Sequence, residues 1–142
     1  MTLTDTRPKL LSLMRDNARA GASCQVNTKE LTWGDTAVDK KEVGRYDLVL
    51  GADICYDPSG VPHLLRLITD LRAPVTIIIG PSTRPSLGAL AEALAAVEGV
   101  SVEERHLSLV SSNADEATDS TADLPATVHR MLIVRQSAPP AA

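Results

Sequence analysis

The sequence has few aromatic residues and few cysteines, and both shortages limit what the chain can be. Its 142 residues include no phenylalanine, one tryptophan, two tyrosines and two cysteines. The core must therefore be built from leucine, valine, isoleucine and alanine, and each aromatic residue becomes a candidate for a role other than packing. Cys24 and Cys55 show no metal-ligand spacing, which indicates reduced thiols in a cytoplasmic compartment.

The chain also lacks clustered basic residues, long apolar runs and recognisable sorting signals. Its net charge is -4 and its lysines and arginines are scattered, which argues against a nucleic-acid or anionic-membrane partner. No apolar run reaches membrane-spanning length, and the first residues resemble neither a signal peptide nor a lipidation motif. The three histidines are scattered, so no metal site is predicted. We expect a cytoplasmic protein with the size of one domain.

Alternating strand and helix patterns predict an α/β fold. Strands are predicted over residues 1–4, 24–31, 46–52 and 74–80. Helices are predicted from Pro8 to Gly21, after the capping residue Asp57 and over residues 87–97. Repeated strand-helix units favour parallel strands joined by right-handed crossovers, the doubly wound class.

The end of the chain departs from this alternation. Residues 100–109 and 127–135 are two predicted strands without a helix between them, so they are expected to pair antiparallel. The segment between them, residues 111–126, has four acidic residues and no basic one, which is typical of a mobile surface loop. Residues 136–142 have no pattern and are predicted to form a disordered tail.

The stretch Tyr46 to Asp57, YDLVLGADICYD, is an apolar run that ends at a carboxylate. Its strand part has no polar face, which predicts a buried parallel strand in the middle of a helix-covered sheet. Open α/β sheets bind ligands beyond the carboxyl ends of their strands. Asp53 and Tyr56 are expected at that end, so they are candidate site residues.

Several segments, taken in order, resemble the seven-strand S-adenosylmethionine-dependent methyltransferases. They are TLTD at Thr2 to Asp5, LTWGD at Leu31 to Asp35, YDLVLGADICYD and the closing strand pair. LTWG followed at this distance by DLVLGADICYD is most similar to methyltransferase family 16, a group of protein-lysine methyltransferases. The resemblance implies a partial methyltransferase domain over residues 1–135, with a Rossmann-like, doubly wound, mostly parallel sheet and an antiparallel C-terminal strand pair.

The resemblance implies a cofactor, S-adenosylmethionine, and residues that bind it. Asp5 matches the acidic residue that accepts hydrogen bonds from the ribose, a task that suits a carboxylate; it could instead cap the following helix. Trp33 matches the tryptophan beside the adenine, with a packing role as the alternative. The small residues Gly51 and Ala52 permit close approach, so the backbone near Ala52 is expected to border the cofactor.

Asp53 and Tyr56 match the family's Asp-x-x-Tyr element, so the resemblance makes them the candidate catalytic residues. Asp53 could orient the lysine amine through a hydrogen bond, and Tyr56 could line the channel with its ring face toward the cation. Catalysis would come mostly from alignment and exclusion of water. Alternatively, Asp53 is a loop residue that caps the next helix. Arg84 is interpreted as a solvated residue in preference to a ligand for a substrate carboxylate.

One family feature is absent from the sequence: the first strand with its Glu-x-Gly-x-Gly turn. In the family pattern that strand lies between the TLTD strand and the YDLVLGAD strand. Buried unpaired amides cost about 1–3 kcal/mol each, against a domain stability of about 5–15 kcal/mol, so the gap must be filled. The candidates are direct closure, a partner chain, or an N-terminal segment lost through an internal start codon, the simplest of the three.

Two classes of function follow. The first is an enzyme, a C-terminal portion of a catalytic domain that methylates a protein substrate bearing a target lysine. The second is a non-catalytic remnant that binds a partner through an exposed sheet edge. A different doubly wound nucleotide binder is less favoured, because no phosphate-binding glycine loop is present.

Overall fold

The computed structural model describes residues 1–34, 43, 45–108 and 128–137 of the chain. Those residues form an α/β structure with mixed sheets and three α-helices. The elements are β1 (Thr2–Asp5), α1 (Pro8–Gly21), β2 (Asn27–Glu30), β3 (Leu48–Ala52), a 3-10 turn (Pro58–Gly60), α2 (Val61–Leu71), β4 (Val75–Pro81), α3 (Pro85–Ala95), β5 (Val100–Ser108) and β6 (Val128–Gln136). The chain divides into two compact units, residues 1–37 and 38–142.

The first unit is one strand-helix-strand element. Strands β1 and β2 pair in parallel, with Thr2 opposite Asn27 and Asp5 opposite Glu30. Helix α1 connects them and packs on both strands. It begins with a proline in its first turn, where the missing N–H costs nothing. The residues predicted to form its apolar face are the ones shielded from solvent: Leu10, Leu11, Met14 and Ala18.

The second unit contains a four-stranded sheet in the order β3-β4-β6-β5. Strands β3 and β4 are parallel, whereas β6 is antiparallel to both of its neighbours, β4 and β5. The predicted antiparallel pair of C-terminal strands is therefore confirmed. Three consecutive residues of β6, Leu132, Ile133 and Val134, are buried. Because successive strand residues face opposite sides of a sheet, both faces of β6 are covered there.

Aliphatic side chains at the predicted helical spacings fill the core of this unit. Helix α2 buries Val61, Leu64 and Ile68, and α3 buries Leu87, Leu90 and Leu94. The two helices pack against each other. Leucine therefore supplies the volume that aromatic residues provide in many cores.

The expectation that β3 lies in the middle of a covered sheet is wrong for the described residues. Strand β3 is at the edge of its sheet, and Leu48 and Leu50 are 48% and 68% exposed. Strand β3 is apolar throughout, as its sequence indicates, but no described strand pairs with its second edge. Its side chains therefore lack the neighbours that would shield them.

Other boundaries and pairings differ from the sequence-based expectations. The described strand pairs divide evenly between parallel and antiparallel, so the sheets are mixed and not mostly parallel. Strand β2 is shorter than predicted. Strand β6 continues through Gln136, whose side-chain amide donates to the carbonyl of Ile68 at 2.9 Å. The predicted loop over residues 111–126 and most of the predicted tail, residues 138–142, lie outside the described residues.

Within the described residues, every helix is too short or too polar to cross a lipid bilayer.

Truncating a core leucine should destabilise the chain much more than truncating an exposed one. Leu94 is 0% exposed, so Leu94→Ala should lower the free energy of unfolding by about 2–5 kcal/mol through lost burial and a cavity. Leu50→Ala is the matched control and should change it by no more than about 0.5 kcal/mol. Urea denaturation measures both. Equal losses for the two variants would contradict this description of the core.

Candidate functional site

The candidate site in the second unit is built where two parallel strands end. Strands β3 and β4 run in the same direction, so the segments that leave them emerge at the same edge of the sheet. We call residues 53–57 the β3 exit loop and residues 82–86, which include the first two residues of α3, the β4 exit turn. The backbone N–H of Asp53 still donates to the carbonyl of Ile79 at 2.7 Å, so the strand pairing holds the loop at its start.

Asp53 has an unusual backbone conformation. Its φ angle is 49°, in the left-handed region, which residues with a Cβ atom seldom adopt, although aspartate tolerates it better than most. Such conformations persist where the surrounding structure holds them, and they are enriched at functional sites. This one turns the chain sharply as it leaves β3 and leaves the side chain 56% exposed.

The carboxylate of Asp53 is paired with Arg84 from the β4 exit turn. The Nη2 atom of Arg84 lies 3.0 Å from one carboxylate oxygen and 3.1 Å from the other. The Arg84 side chain is 35% exposed, and its Nε atom is buried with no hydrogen-bond partner among the described residues. The interpretation of Arg84 as a solvated residue is therefore wrong, because the strand pairing places it beside Asp53.

A second contact joins the same two segments. The hydroxyl of Ser86 donates a hydrogen bond to the backbone carbonyl of Cys55, and both residues are buried. Burial raises the pKa of the Cys55 thiol above its ordinary value, and the Ser86 hydroxyl and the Arg84 charge offset that rise only in part. Cys55 is therefore a protonated packing residue at neutral pH, and its carbonyl fixes the loop.

The two carboxylates of the β3 exit loop, those of Asp53 and Asp57, have different roles. The Asp57 side chain accepts a hydrogen bond from the backbone N–H of Ser59 at 2.9 Å and caps the 3-10 turn. That bond holds the pKa of Asp57 below its ordinary value. Asp57 therefore takes the capping role that was the alternative for Asp53. Tyr56 lies between them with 65% of its surface exposed, so its ring is open to a ligand.

The small residues before Asp53 differ in their surroundings. The side chain of Ile54 fills the space beside Gly51 where a Cβ atom would lie. A glycine at position 51 therefore makes room for the Ile54 side chain. The sequence-based prediction gave a different reason, the close approach of a cofactor. Ala52 is exposed, so the predicted approach to its backbone stays open.

The first unit places the other two predicted residues at one edge of its sheet. Asp5 is the last residue of β1, and its backbone carbonyl accepts from the N–H of Leu31, two residues before Trp33. The Asp5 carboxylate accepts from the backbone N–H of Arg7 at 2.8 Å and lies 3.8 Å from the Arg7 guanidinium. Both contacts use Oδ1, and a carboxylate has further acceptor capacity on its second oxygen.

Asp5 and Trp33 both keep features that the predicted cofactor roles require. The N-cap residue of α1 is Arg7, so Asp5 supports the turn before the helix without being its cap residue. Trp33 lies in a turn with Gly34, whose φ of 90° favours glycine, and its ring is half-buried. A half-buried indole retains a face and an N–H for a ligand.

The predicted site residues thus form two groups. Ala52, Asp53 and Tyr56 follow one another at the carboxyl end of β3, and Asp5 and Trp33 lie at the carboxyl edge of the β1-β2 pair. The convergence of both groups on one cofactor stays a prediction. Sequence reasoning missed the roles of Arg84 and Ser86. The sequence feature that indicates these roles is their position, because both residues come just after the strand that pairs with β3.

Two further observations limit other kinds of site. A cavity of about 530 Å³ in the first unit is lined by residues of α1 and by residues 22–28, and it contains none of the predicted site residues. Among residues 1–34, 43, 45–108 and 128–137, no three His, Cys, Asp or Glu side chains are grouped so that they could hold a metal ion.

Comparison with known proteins identifies relatives of this chain. A family model described as lysine methyltransferase matches residues 1–86, a range that includes all the predicted site residues and the β4 exit turn. Protein N-lysine methyltransferase METTL21A of Danio rerio is 37% identical over 82 residues. That match covers 56% of this chain and 37% of the relative, so the chain spans well under half the length of this curated protein.

Removing the Ser86 hydroxyl should loosen the β3 exit loop. Ser86→Ala leaves the buried Cys55 carbonyl without its donor, which costs about 1–3 kcal/mol. The Cys55 thiol should then react with Ellman's reagent roughly tenfold faster, the change that about 1.4 kcal/mol of lost local stability produces. The exposed Cys24 serves as the internal reference for reagent activity.

The matched control for this measurement is Ser101→Ala at an exposed position of β5. It should leave both thiol rates unchanged. An unaltered Cys55 rate in Ser86→Ala would show that the hydroxyl does not hold the loop.

Proposed function

The chain belongs to the lysine methyltransferase family, and we propose that it transfers a methyl group from S-adenosylmethionine to a lysine side chain of a protein substrate. One observation of the structure carries the proposal. The loop with Asp53 and Tyr56 leaves the carboxyl end of a parallel strand, and Arg84 and Ser86, which follow the neighbouring strand in the chain, hold it in place. A carboxylate and an exposed aromatic ring are thereby presented together at the sheet edge where α/β folds bind ligands.

The residues at the ends of β1 and β2 suit the adenosine part of this cofactor. The Asp5 carboxylate has acceptor capacity for ribose hydroxyls beyond its bonds to Arg7. The half-buried ring of Trp33 can stack on a purine. The exposed backbone at Ala52 would border the cofactor near the reacting methyl group. When bound, the cofactor supplies an electrophilic sulfonium methyl.

The chain's own contribution to transfer is alignment. A lysine amine must present its lone pair to the methyl carbon, and Asp53 can accept a hydrogen bond from an amine N–H and so fix that direction. Tyr56, exposed beside it, can contact the stem of the lysine and shield the amine from water. Neither residue needs to form a covalent bond.

We also propose that the chain forms a Rossmann-like, doubly wound domain. It is supported by two parallel strand-helix-strand units, β1-α1-β2 and β3-α2-β4. A cytoplasmic location is also proposed, with the free thiols of Cys24 and Cys55 as its support.

One observation favours a second function, binding of a partner strand without catalysis. In the parallel β3-β4 ladder the N–H of Asp53 points to β4. The backbone groups of Leu48, Leu50 and Ala52 therefore point to the other side, because alternate residues bond to opposite edges. These three residues are exposed. An edge that no described strand pairs with, and that exposes leucines, can accept a strand from another chain.

Cofactor binding should depend on Asp5 and Trp33. We expect Asp5→Ala and Trp33→Ala each to weaken binding of S-adenosylmethionine roughly tenfold, the effect of losing one or two hydrogen bonds or a stacked ring. Calorimetry measures the affinity of both variants. The fluorescence of the sole tryptophan also reports binding in the proteins that keep Trp33. Asp16→Ala on the exposed face of α1 is the control. Undiminished affinity in both site variants would remove the cofactor assignment.

Methyl transfer should depend on Asp53. We expect the chain to transfer label from S-adenosylmethionine to lysines of lysate proteins, with methyl-lysine identified by mass spectrometry. Asp53→Ala should reduce the rate roughly 100-fold through loss of alignment. Asp70→Ala, which removes an exposed carboxylate paired with Arg66 on α2, should not.

The same assay separates the two functions. If wild type transfers no label but forms a complex that Leu50→Lys abolishes, the binding function replaces the enzymatic one. Equal rates for Asp53→Ala and Asp70→Ala would contradict the assignment of Asp53.

A further inference from the structure

The carboxylate at the centre of the candidate site already has a positive partner. One nitrogen of Arg84 contacts both oxygens of Asp53, at 3.0 and 3.1 Å. A guanidinium does not lose its proton in proteins, so Arg84 sets a permanent positive charge beside the Asp53 carboxylate. The carboxylate oxygens still have acceptor capacity on the side away from Arg84.

The backbone around Arg84 fixes this arrangement. The N–H of Arg84 donates to the carbonyl of Pro81 at 3.1 Å, and its carbonyl accepts from the N–H of Leu87 at 3.2 Å. Two residues further on, the Ser86 hydroxyl binds the Cys55 carbonyl. Arg84 therefore starts its side chain from a braced turn, and the loop that carries Asp53 is tied to that turn.

The pairing matters for a lysine acceptor. An unpaired carboxylate attracts an ammonium group and stabilises its charged form. A protonated amine has no lone pair to give to the methyl carbon, so an unpaired Asp53 would bind the acceptor well in its unreactive form. A carboxylate with a guanidinium beside it can still accept a hydrogen bond from a neutral amine, and the positive charge of the guanidinium weakens its hold on an ammonium group.

We propose that Arg84 is a positioning residue that weakens the preference of Asp53 for the charged form of the acceptor lysine, so that the neutral amine competes better for the site. The inference rests on the proposed function and names a requirement of the same site. The amine loses its proton to solvent, its lone pair forms the N–C bond, and the electrons of the breaking S–C bond stay on sulfur. Arg84 touches neither the amine nor the methyl group, and it acts through Asp53.

The first test measures amine binding without methyl transfer. The probe is N-α-acetyl-lysine methylamide at pH 7, followed by NMR shifts of the full chain, with the norleucine analogue as the uncharged control. Arg84→Gln should bind the lysine probe roughly two- to fivefold more tightly than wild type, the range for an exposed ion pair. The norleucine analogue should bind both proteins equally.

Conservative substitution and a matched control make this test specific. Arg84→Lys keeps the positive charge and should match wild type, and Arg66→Gln, which removes an arginine paired with Asp70 on α2, should also match it. Loss of packing alone would not increase affinity for a cation. Arg84→Gln that is folded by circular dichroism and binds the probe no more tightly than wild type overturns the inference. So does failure of Arg84→Lys to restore the wild-type affinity, or binding too weak to measure in every variant.

The second test is kinetic and keeps the two proposals distinguishable. In the methyl-transfer assay, Arg84→Gln should lower both kcat and KM for the acceptor, because more of the bound lysine is in its charged form. A rise in KM with unchanged kcat would overturn the inference. If the wild-type chain transfers no methyl group, the proposed function fails, and the binding measurement still decides whether Arg84 controls the charge that Asp53 presents.

Discussion

The candidate site depends on the parallel pairing of β3 with β4. Parallel strands end at the same edge of a sheet, so this pairing brings together segments that lie 31 residues apart in the chain, Asp53 with Arg84 and Cys55 with Ser86. The N–H of Asp53 makes the last hydrogen bond of the ladder, to the carbonyl of Ile79, and the backbone of Asp53 is left-handed at that point. Without the pairing, Asp53 would be an ordinary loop carboxylate, and Tyr56 would have no fixed position relative to it.

The same strand shows where the fold is open. Its β4 edge is fully paired, whereas its other edge exposes Leu48 and Leu50. The family pattern places a further strand along this edge of β3, and no described strand pairs with it. The composition of β3 thus agrees with a strand that is covered on both edges, and the exposure of its leucines reflects the lack of a second neighbour among the described residues. The methyltransferase proposal and the strand-binding proposal differ in what they expect at this edge.

Sequence reasoning succeeded where the signal was local. Helix α1 begins at Pro8 and shields the predicted four residues, and β5 and β6 pair antiparallel. Asp57 was predicted to cap a helix that starts at Pro58, and it caps a 3-10 turn there, with α2 starting at Val61. Sequence reasoning failed where the outcome depends on neighbours in space. The edge position of β3, the ion pair of Arg84 and the filling of the space beside Gly51 by Ile54 each require knowledge of which segments meet. The family resemblance supplied the candidate site residues, and the strand pairing supplied the residues that support them.

The proposed function requires residues from the ends of β1, β2 and β3 to contact one S-adenosylmethionine molecule. The most direct measurement is a set of nuclear Overhauser contacts between bound cofactor and the full chain. We expect contacts from the adenine protons to the Trp33 ring and, in the same complex, from the sulfonium methyl to Ala52 or Tyr56. Contacts confined to one of these two groups, or a cofactor bound away from both, would contradict the proposed function.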